Sequence, residues 1–379
     1  MKTEQAHNNE QWKKMRFDQF FDMLPTNTLS RDKLNNQRGE YQNIHYGDVL
    51  IKYPYCLDCN VNEIPYINEG VRFNTAQVKN GDVIFADTAE DDTVGKCVEV
   101  LNVGDRKIVS GLHTYFCRPK HEMALGYLGY FLNSNHFHNQ LLPYIAGSKV
   151  SSVNRTSIAR TFIIYPESLP AQRRIAAILS SADKVIASTQ KVIAKYKQMK
   201  QGMMEDLLKP KEGWKKVRLG DCLTIGNGQD YKHLQSGDIP VYGTGGVMTY
   251  VDDFLYEGET VCIGRKGTIN KPMYYKGKIW TVDTLFYTHS FVRVMPLFIY
   301  YVFCNIDWNK YNEATGVPSL SKETIYKIEL SVPDLAEQCR IATILSGIDA
   351  KIAAEEKVLE KYGKIKKGMM ERLLDGEVN

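Results

Sequence analysis

The sequence predicts an α+β protein. Two globular units are joined by two long helices that form an antiparallel coiled coil, and the whole is a pseudo-two-fold internal repeat. Three observations carry this. Residues 172–208 and 338–374 align at a constant offset of 166 without a gap, and 21 of 37 positions are identical, which marks an internal duplication. "WKKMRF" (12–17) returns as "WKKVRL" (214–219), and "AGSKVSSVNRTSI" (146–158) resembles "ATGVPSLSKETI" (314–325). The order is therefore unit, helix, unit, helix, and the first unit is the longer by 36 residues, the difference between the offsets of 202 and 166. The third observation is the periodicity of the repeated stretch.

Steps of four and three along the first copy meet Ile175, Leu179, Ile186, Ile193 and Tyr196, and along the second Ile341, Leu345, Ile352, Leu359 and Tyr362. A 3.5-residue period held over about five heptads is a coiled-coil seam. Polar residues interrupt both seams at matching steps, Thr189 with Glu355 and Lys200 with Lys366. Such steps are either solvated gaps or devices that fix register and antiparallel pairing. "LLKPKEGW" (207–214) is a linker. In the globular units, "GDVLIKYP", "GDVIFAD" and "IWTVDTLFYT" have the β-branched and aromatic content of strands. Residues 124–145 and 297–311 read as helices. These features divide the chain into 1–166, 167–212, 213–332 and 333–379.

Composition narrows the class. An apolar fraction of 43% and a charged fraction of 24% suit a folded, water-soluble chain. The start "MKTEQAHNNEQ" lacks the apolar core of a signal peptide. The longest apolar run, Leu297–Cys304, is too short to span a bilayer. Eight cysteines without a secretion signal read as reduced thiols, so the expected location is cytoplasmic. A net charge of +4 permits a nucleic-acid partner without requiring one.

Catalytic signatures are absent from the sequence. "IGNGQDY" (225–231) has Tyr231 where a dinucleotide fingerprint needs its third glycine, so it reads as a turn. "KYPYC" (52–56) lacks the order of an adenine-methyltransferase motif, and "VPDLAEQC" lacks the terminal Lys of a nuclease motif. Cys56 and Cys59 form a lone Cys-x-x-Cys without a second pair, so no metal site is expected. His136 and His138 lie in a predicted helix and read as structural or solvent-facing. Glu90, Asp91 and Asp92 read as a solvated loop.

The remaining features are loops that carry bases and small hydroxyls: "GSKVSSVNR" (147–155), "YGTGG" (242–246) and "GRKGTINK" (264–271). Glycine allows close approach of backbone to a ligand, and Ser, Thr, Lys and Arg donate to phosphate oxygens. Each loop taken alone reads as a polar turn; recurrence in repeated units is what favours a contact role. The candidate DNA contacts are Lys149, Ser151, Ser152, Asn154 and Arg155 in the first unit. In the second they are Tyr242, Thr244, Arg265, Lys266, Thr268 and Lys271. Arg265 is the candidate for direct readout, because a guanidinium fork can bond a guanine edge. Duplication suits this role, since two-fold readers place two modules on two half-sites.

In this architecture the chain resembles the specificity (S) subunit of type I restriction-modification systems. The residues that carry the resemblance are Trp12 and Trp214, the junctions "YPESLPAQRRIAAIL" and "VPDLAEQCRIATIL", and the helix ends "KQGMMEDLL" and "KKGMMERLL". "VYGTGG", "GRKGTI", "WTVDTLF", "ATGVPSLSKETI" and "GDVIFADTAEDDTVGK" resemble segments of its recognition domains. The first unit departs in lacking the Thr-Gly pair of "ATGVPSLSKETI". The resemblance implies two target recognition domains, each reading half of a split site in double-stranded DNA, with two helical regions that set their separation. It implies no catalysis and no cofactor in this chain. Two methyltransferase (M) subunits would supply S-adenosylmethionine chemistry, and restriction (R) subunits ATP- and Mg-dependent translocation and cleavage. The alternatives are a coiled-coil scaffold that binds only protein, which salt-sensitive DNA binding would exclude, and an enzyme with an unrecognised site.

Overall fold

The computed structural model describes residues 10–91, 93–147 and 149–376. The described chain forms two compact units. One holds the chain up to Thr189 and again from Val358; the other is Gln190–Lys357. The long helices are Leu169–Leu207 and Leu335–Leu373, 39 residues each.

In the first unit a five-stranded sheet runs Phe21–Leu24, Thr114–Pro119, Val83–Ala86, Cys97–Leu101, Cys56–Asp58. The first three pairings are antiparallel and the last parallel. In the second unit the order is Thr224–Asn227, Leu285–His289, Tyr256–Gly264, Met273–Thr281, Ser236–Gly243 and a further edge strand, Gly246–Val251. Its first three pairings are again antiparallel and the fourth parallel. The repeat legible at the helices thus extends through both sheets, where the sequences have diverged. The longer first unit also carries a four-stranded sheet, Ile108–Ser110, Gln42–Ile44, Tyr66–Ile67, Leu34–Asn35, beside a separate apolar cluster around Ile44, Val49 and Val98.

A two-stranded ribbon closes each globular part. Trp12–Arg16 pairs with Phe162–Pro166, and Lys215–Arg218 with Glu329–Val332. The second strand of each ribbon leads directly into a long helix. A buried glutamine holds each junction. Gln172 accepts from the Ala124 N–H at 2.9 Å and donates to the Pro166 carbonyl at 2.8 Å. Gln338 accepts from the Met295 N–H and donates to the Arg293 and Pro333 carbonyls, each at 2.9 Å. The two glutamines are repeat equivalents. Gln338→Leu keeps the volume and strands these backbone groups in a dry interior. The second unit should lose about 2 kcal/mol, read as a lower urea midpoint at unchanged slope. An unchanged midpoint would show that the junction is held by packing alone.

Within each unit the helices run antiparallel. In the first, Ile175 and Leu179 share a core with Met370 and Leu374, and Asp183 pairs with Lys366 at 2.5 Å. In the second, Met204 shares a core with Ile341 and Leu345, and Lys200 pairs with Asp349 at 2.6 Å. Each aspartate also accepts a tyrosine hydroxyl at 2.8 Å, Tyr130 on Asp183 and Tyr301 on Asp349. The lysine steps of the seam are therefore engaged rather than solvated, and a register slip would leave both aspartates unpaired in a half-buried setting. The buried Thr189 hydroxyl donates to the Val185 carbonyl, as helical threonines do. Of the other seam residues, Ile193 and Ile352 are buried, and Ile186, Tyr196, Leu359 and Tyr362 are half-buried.

Three expectations about local structure are corrected. "GDVLIKYP" contributes to a helix, Tyr46–Ile51, because the His45 ring caps it by accepting the Gly47 N–H. Residues 124–145 are not one helix. Helix Tyr127–Phe131 stops where Asn133 turns back, its amide donating to the Gly129 and Cys97 carbonyls; Asn135–Leu141 then starts afresh. "IWTVDTLFYT" is the end of one strand, a turn at 282–284 and the start of another.

Candidate nucleic-acid interface

In the second unit, strand Tyr256–Gly264 ends in a tight turn. A side chain at Gly264 would meet the Thr268 carbonyl at 2.1 Å, and Gly267 has φ +85°, so both positions require glycine. The Arg265 N–H donates to the Thr284 carbonyl at 2.8 Å, and its own carbonyl accepts from the Leu320 N–H at 2.9 Å. With its backbone fixed on both edges, the side chain is free to project. The Arg265 guanidinium and the Lys322 ammonium each lie 5.9 Å from the centre of the Phe286 ring. Among the described residues neither forms an ion pair. Burial, and then the charge of Arg265, lowers the Lys322 pKa. Glu313, the acid nearby, is occupied by the hydroxyls of Ser321 and Thr324. The resulting groove of about 400 Å³ is lined by Asn227, Arg265, Lys266, Phe286, Ser319 and Lys322. Glu313 lines the same groove, but its carboxylate is engaged by the two hydroxyls, so the cations at the Phe286 ring offer a seat for an anion or an electronegative base edge.

The Arg265 fork also reaches the Asp283 carbonyl at 3.5 Å. The 282–284 turn helps line a second groove of about 540 Å³, with Lys232, Thr244 and Met248. Tyr242 is half-buried, its ring 5.3 Å from that of Tyr275. Thr268 is half-buried and Lys271 exposed, and neither lines these grooves.

The first unit repeats the frame with different side chains. Ser151–Ser152 is not loop but a short strand paired with Thr88–Ala89. Asn154 caps helix Arg155–Ile158 by accepting the Ser157 N–H at 2.8 Å, as Ser321 caps Lys322–Tyr326 by accepting from Thr324. Arg155 therefore occupies the position of Lys322; it is exposed and touches the Met23 carbonyl at 3.2 Å. Ser152 and Lys149 are exposed and Ser151 half-buried. The capping bond of Asn154 leaves its amide N–H groups for any ligand.

Lys322, Phe286 and Asn227 did not stand out in the sequence. The first two lie inside "ATGVPSLSKETI" and "WTVDTLF", which were legible as segments but not as one site.

The other sequence candidates take structural places. Burial pushes the Cys59 thiol up to about 11, and the Cys56 thiol is pushed up for the same reason. No cluster of three or more metal-binding side chains occurs among the described residues. Gly228 of "IGNGQDY" packs against the Val282 carbonyl, and its N–H donates to the Leu285 carbonyl at 3.1 Å. His136 bonds the Glu371 carbonyl at 2.9 Å. Asp91 accepts from the backbone and hydroxyl of Thr93; Asp92 lies outside the described residues.

The family described as "Type I restriction modification DNA specificity domain" matches residues 9–198 and 211–361. The chain belongs to this family. It is thus a DNA specificity subunit of a type I restriction-modification system, a recognition component with two target-reading modules rather than a catalyst. Among its relatives is the MjaX specificity subunit of Methanocaldococcus jannaschii, provisionally named as part of a type I restriction enzyme. It is 26% identical over 342 residues, 79% of this chain and 78% of that one. The fold is similar to the crystal structure of a type I restriction-modification S subunit from M. genitalium, with TM-score 0.64, 17% identity and 97% of each chain covered. A structure described as showing complex assembly and conformational transition of the type I R-M system matches with TM-score 0.57 and 16% identity, over 97% of this chain and 98% of that one. Among the described residues no helix is long and apolar enough to cross a membrane.

Proposed function

We propose that residues 1–166 and 213–332 are the two target recognition domains, that 167–212 and 333–379 are the helical regions between and after them, and that each domain reads one half of a split DNA site. The observation that carries this is the matched strand order of the two sheets, each with a capped short helix beside it that begins with a basic residue, Arg155 or Lys322. Lys149, Ser151, Ser152, Asn154 and Arg155 are the contacts of the first domain. Tyr242, Thr244, Arg265, Lys266, Thr268 and Lys271, together with Lys322, are those of the second. Lys322 holds a phosphate and Arg265 a guanine edge. Two M subunits dock on this chain and methylate adenine with S-adenosylmethionine; R subunits bring ATP and Mg. The complex works in the cytoplasm.

Exchange of residues 12–166 for the equivalent unit of another S subunit tests the assignment. N6-methyladenine mapping of DNA exposed to the assembled complex should show one half of the motif replaced and the other retained. If both halves changed, or the retained half were lost, the domains would not read independently.

A further inference from the structure

The two modules place residues of opposite charge at one position. Asp87 follows strand Val83–Ala86 as Arg265 follows Tyr256–Gly264, and these strands occupy the same place in the two sheets. The backbone bonds agree. The Asp87 N–H donates to the His113 carbonyl and its carbonyl accepts from the Val153 N–H at 3.0 Å. The Arg265 N–H donates to Thr284 and its carbonyl accepts from Leu320. Val153 and Leu320 are both buried and directly precede the helix caps Asn154 and Ser321. His113 and Thr284 each directly precede the neighbouring strand. Equivalence thus rests on strand order, two backbone bonds and a cap, although Asp87 and Arg265 show no local sequence likeness.

The Asp87 carboxylate is a spare acceptor. Its Oδ1 is shielded from solvent beside His113, so the oxygen open to a ligand is Oδ2; neither makes a hydrogen bond among the described residues. The His113 Nδ1 stands 3.4 Å away without hydrogen-bond geometry. The side chain keeps 21% of its surface open. Exposed Ser152 and Arg155 lie on the segments that flank it. A carboxylate at a DNA surface repels phosphate, so its use there is to accept from a base donor.

We infer that Asp87 and Arg265 are equivalent base-reading positions of opposite sense. Asp87 accepts a hydrogen bond from an exocyclic amino group, of cytosine or adenine, in the half-site of the first domain, where Arg265 in the second donates to guanine. This rests on the recognition role proposed above, and it gives a physical reason for the two half-sites to differ.

The test uses the full chain assembled with M subunits, with wild type, Asp87→Ala and Asp87→Asn mapped side by side. A wild-type complex that methylates no split motif would overturn the recognition role itself. With that motif in hand, Asp87→Ala should accept any base at one position of the first domain's half-site, with the other half and the salt dependence unchanged. Asp87→Asn, which keeps the shape and replaces one acceptor by a donor, should shift the same position toward a base with an acceptor edge. Synthetic duplexes name the base. Deleting the amino group, as 2-pyrimidinone for cytosine or purine for adenine, should weaken wild-type binding about tenfold at that position and leave Asp87→Ala within about twofold. An unchanged motif in both variants overturns the inference while leaving the recognition role standing. So does a change in the other half-site, or loss of all methylation by a variant that melts like wild type.

Discussion

DNA binding by the assembled complex is expected to weaken at least about 500-fold between 50 and 200 mM salt. Lys149, Arg155, Lys266, Lys271 and Lys322 are the cations assigned to phosphates; all are exposed except Lys322, which is half-buried. Each neutralised phosphate releases counterions, which gives a slope of about −0.9 per contact and about −4.5 for five, hence that factor over a fourfold rise in salt. The M subunits add contacts of their own, so variants isolate the share of this chain. Lys322→Ala should reduce the slope by about 1 and the five-fold alanine variant by about 4 to 5. Titration by fluorescence anisotropy at several salt concentrations decides it. An unaltered slope in the five-fold variant would remove the phosphate assignment, whatever the fate of the base contacts.

Much of the architecture was legible because the long helices carry one strong period. A seam such as Ile175, Leu179, Ile186, Ile193 must face apolar partners, and both copies keep it. The sheets were legible only as strand-like composition. Strand order is set by contacts between distant segments, such as Val83–Ala86 against Thr114–Pro119, and no local pattern encodes it. Local reading failed where side chains redirect the backbone. The His45 ring turns "GDVLIKYP" helical despite its valine and isoleucine, and Asn133 ends a helix whose apolar pattern continues.

For the candidate interface, the turns at 147–155 and 264–271 were legible because glycine with Lys or Arg is a local signal. Such a signal could not find the Phe286 seat, whose parts come from residues 227, 265, 286 and 322. Nor could it single out Asp87. The bond that places it beside the capped helix joins it to Val153, far along the chain, and an acid in "GDVIFADTAEDDTVGK" looks like one of several. The strand equivalence converts it into the counterpart of Arg265.

Relative to a Glu99→Gln variant, the first unit should lose about 3 kcal/mol of stability as pH rises from 4.5 to 7.5. Glu99 lies on the sheet's inner face in strand Cys97–Leu101, 1% exposed. Its carboxylate oxygens accept from the Gly126 and Gly129 N–H groups, each at 2.8 Å. Both glycines are required. Gly126 has φ +91°, and a side chain at Gly129 would meet the Tyr55 carbonyl at 2.5 Å. Burial outweighs these hydrogen bonds and pushes the carboxyl up to about 7 from its ordinary 4.5. An acid with a raised folded pKa binds more protons folded than unfolded between the two values, so stability falls as pH rises through that window and is level outside it. The move from 4.5 to about 7 corresponds to about 3 kcal/mol. Glutamine cannot ionise, and the rest of the unit titrates alike in both proteins, so their difference isolates this group. Urea unfolding at half-unit pH steps should give a wild-type-minus-variant difference that declines across pH 4.5–7 and then flattens. A constant difference would show that the two N–H donors hold the carboxylate ionised, and a difference that grows with pH would reverse the sign of the burial argument.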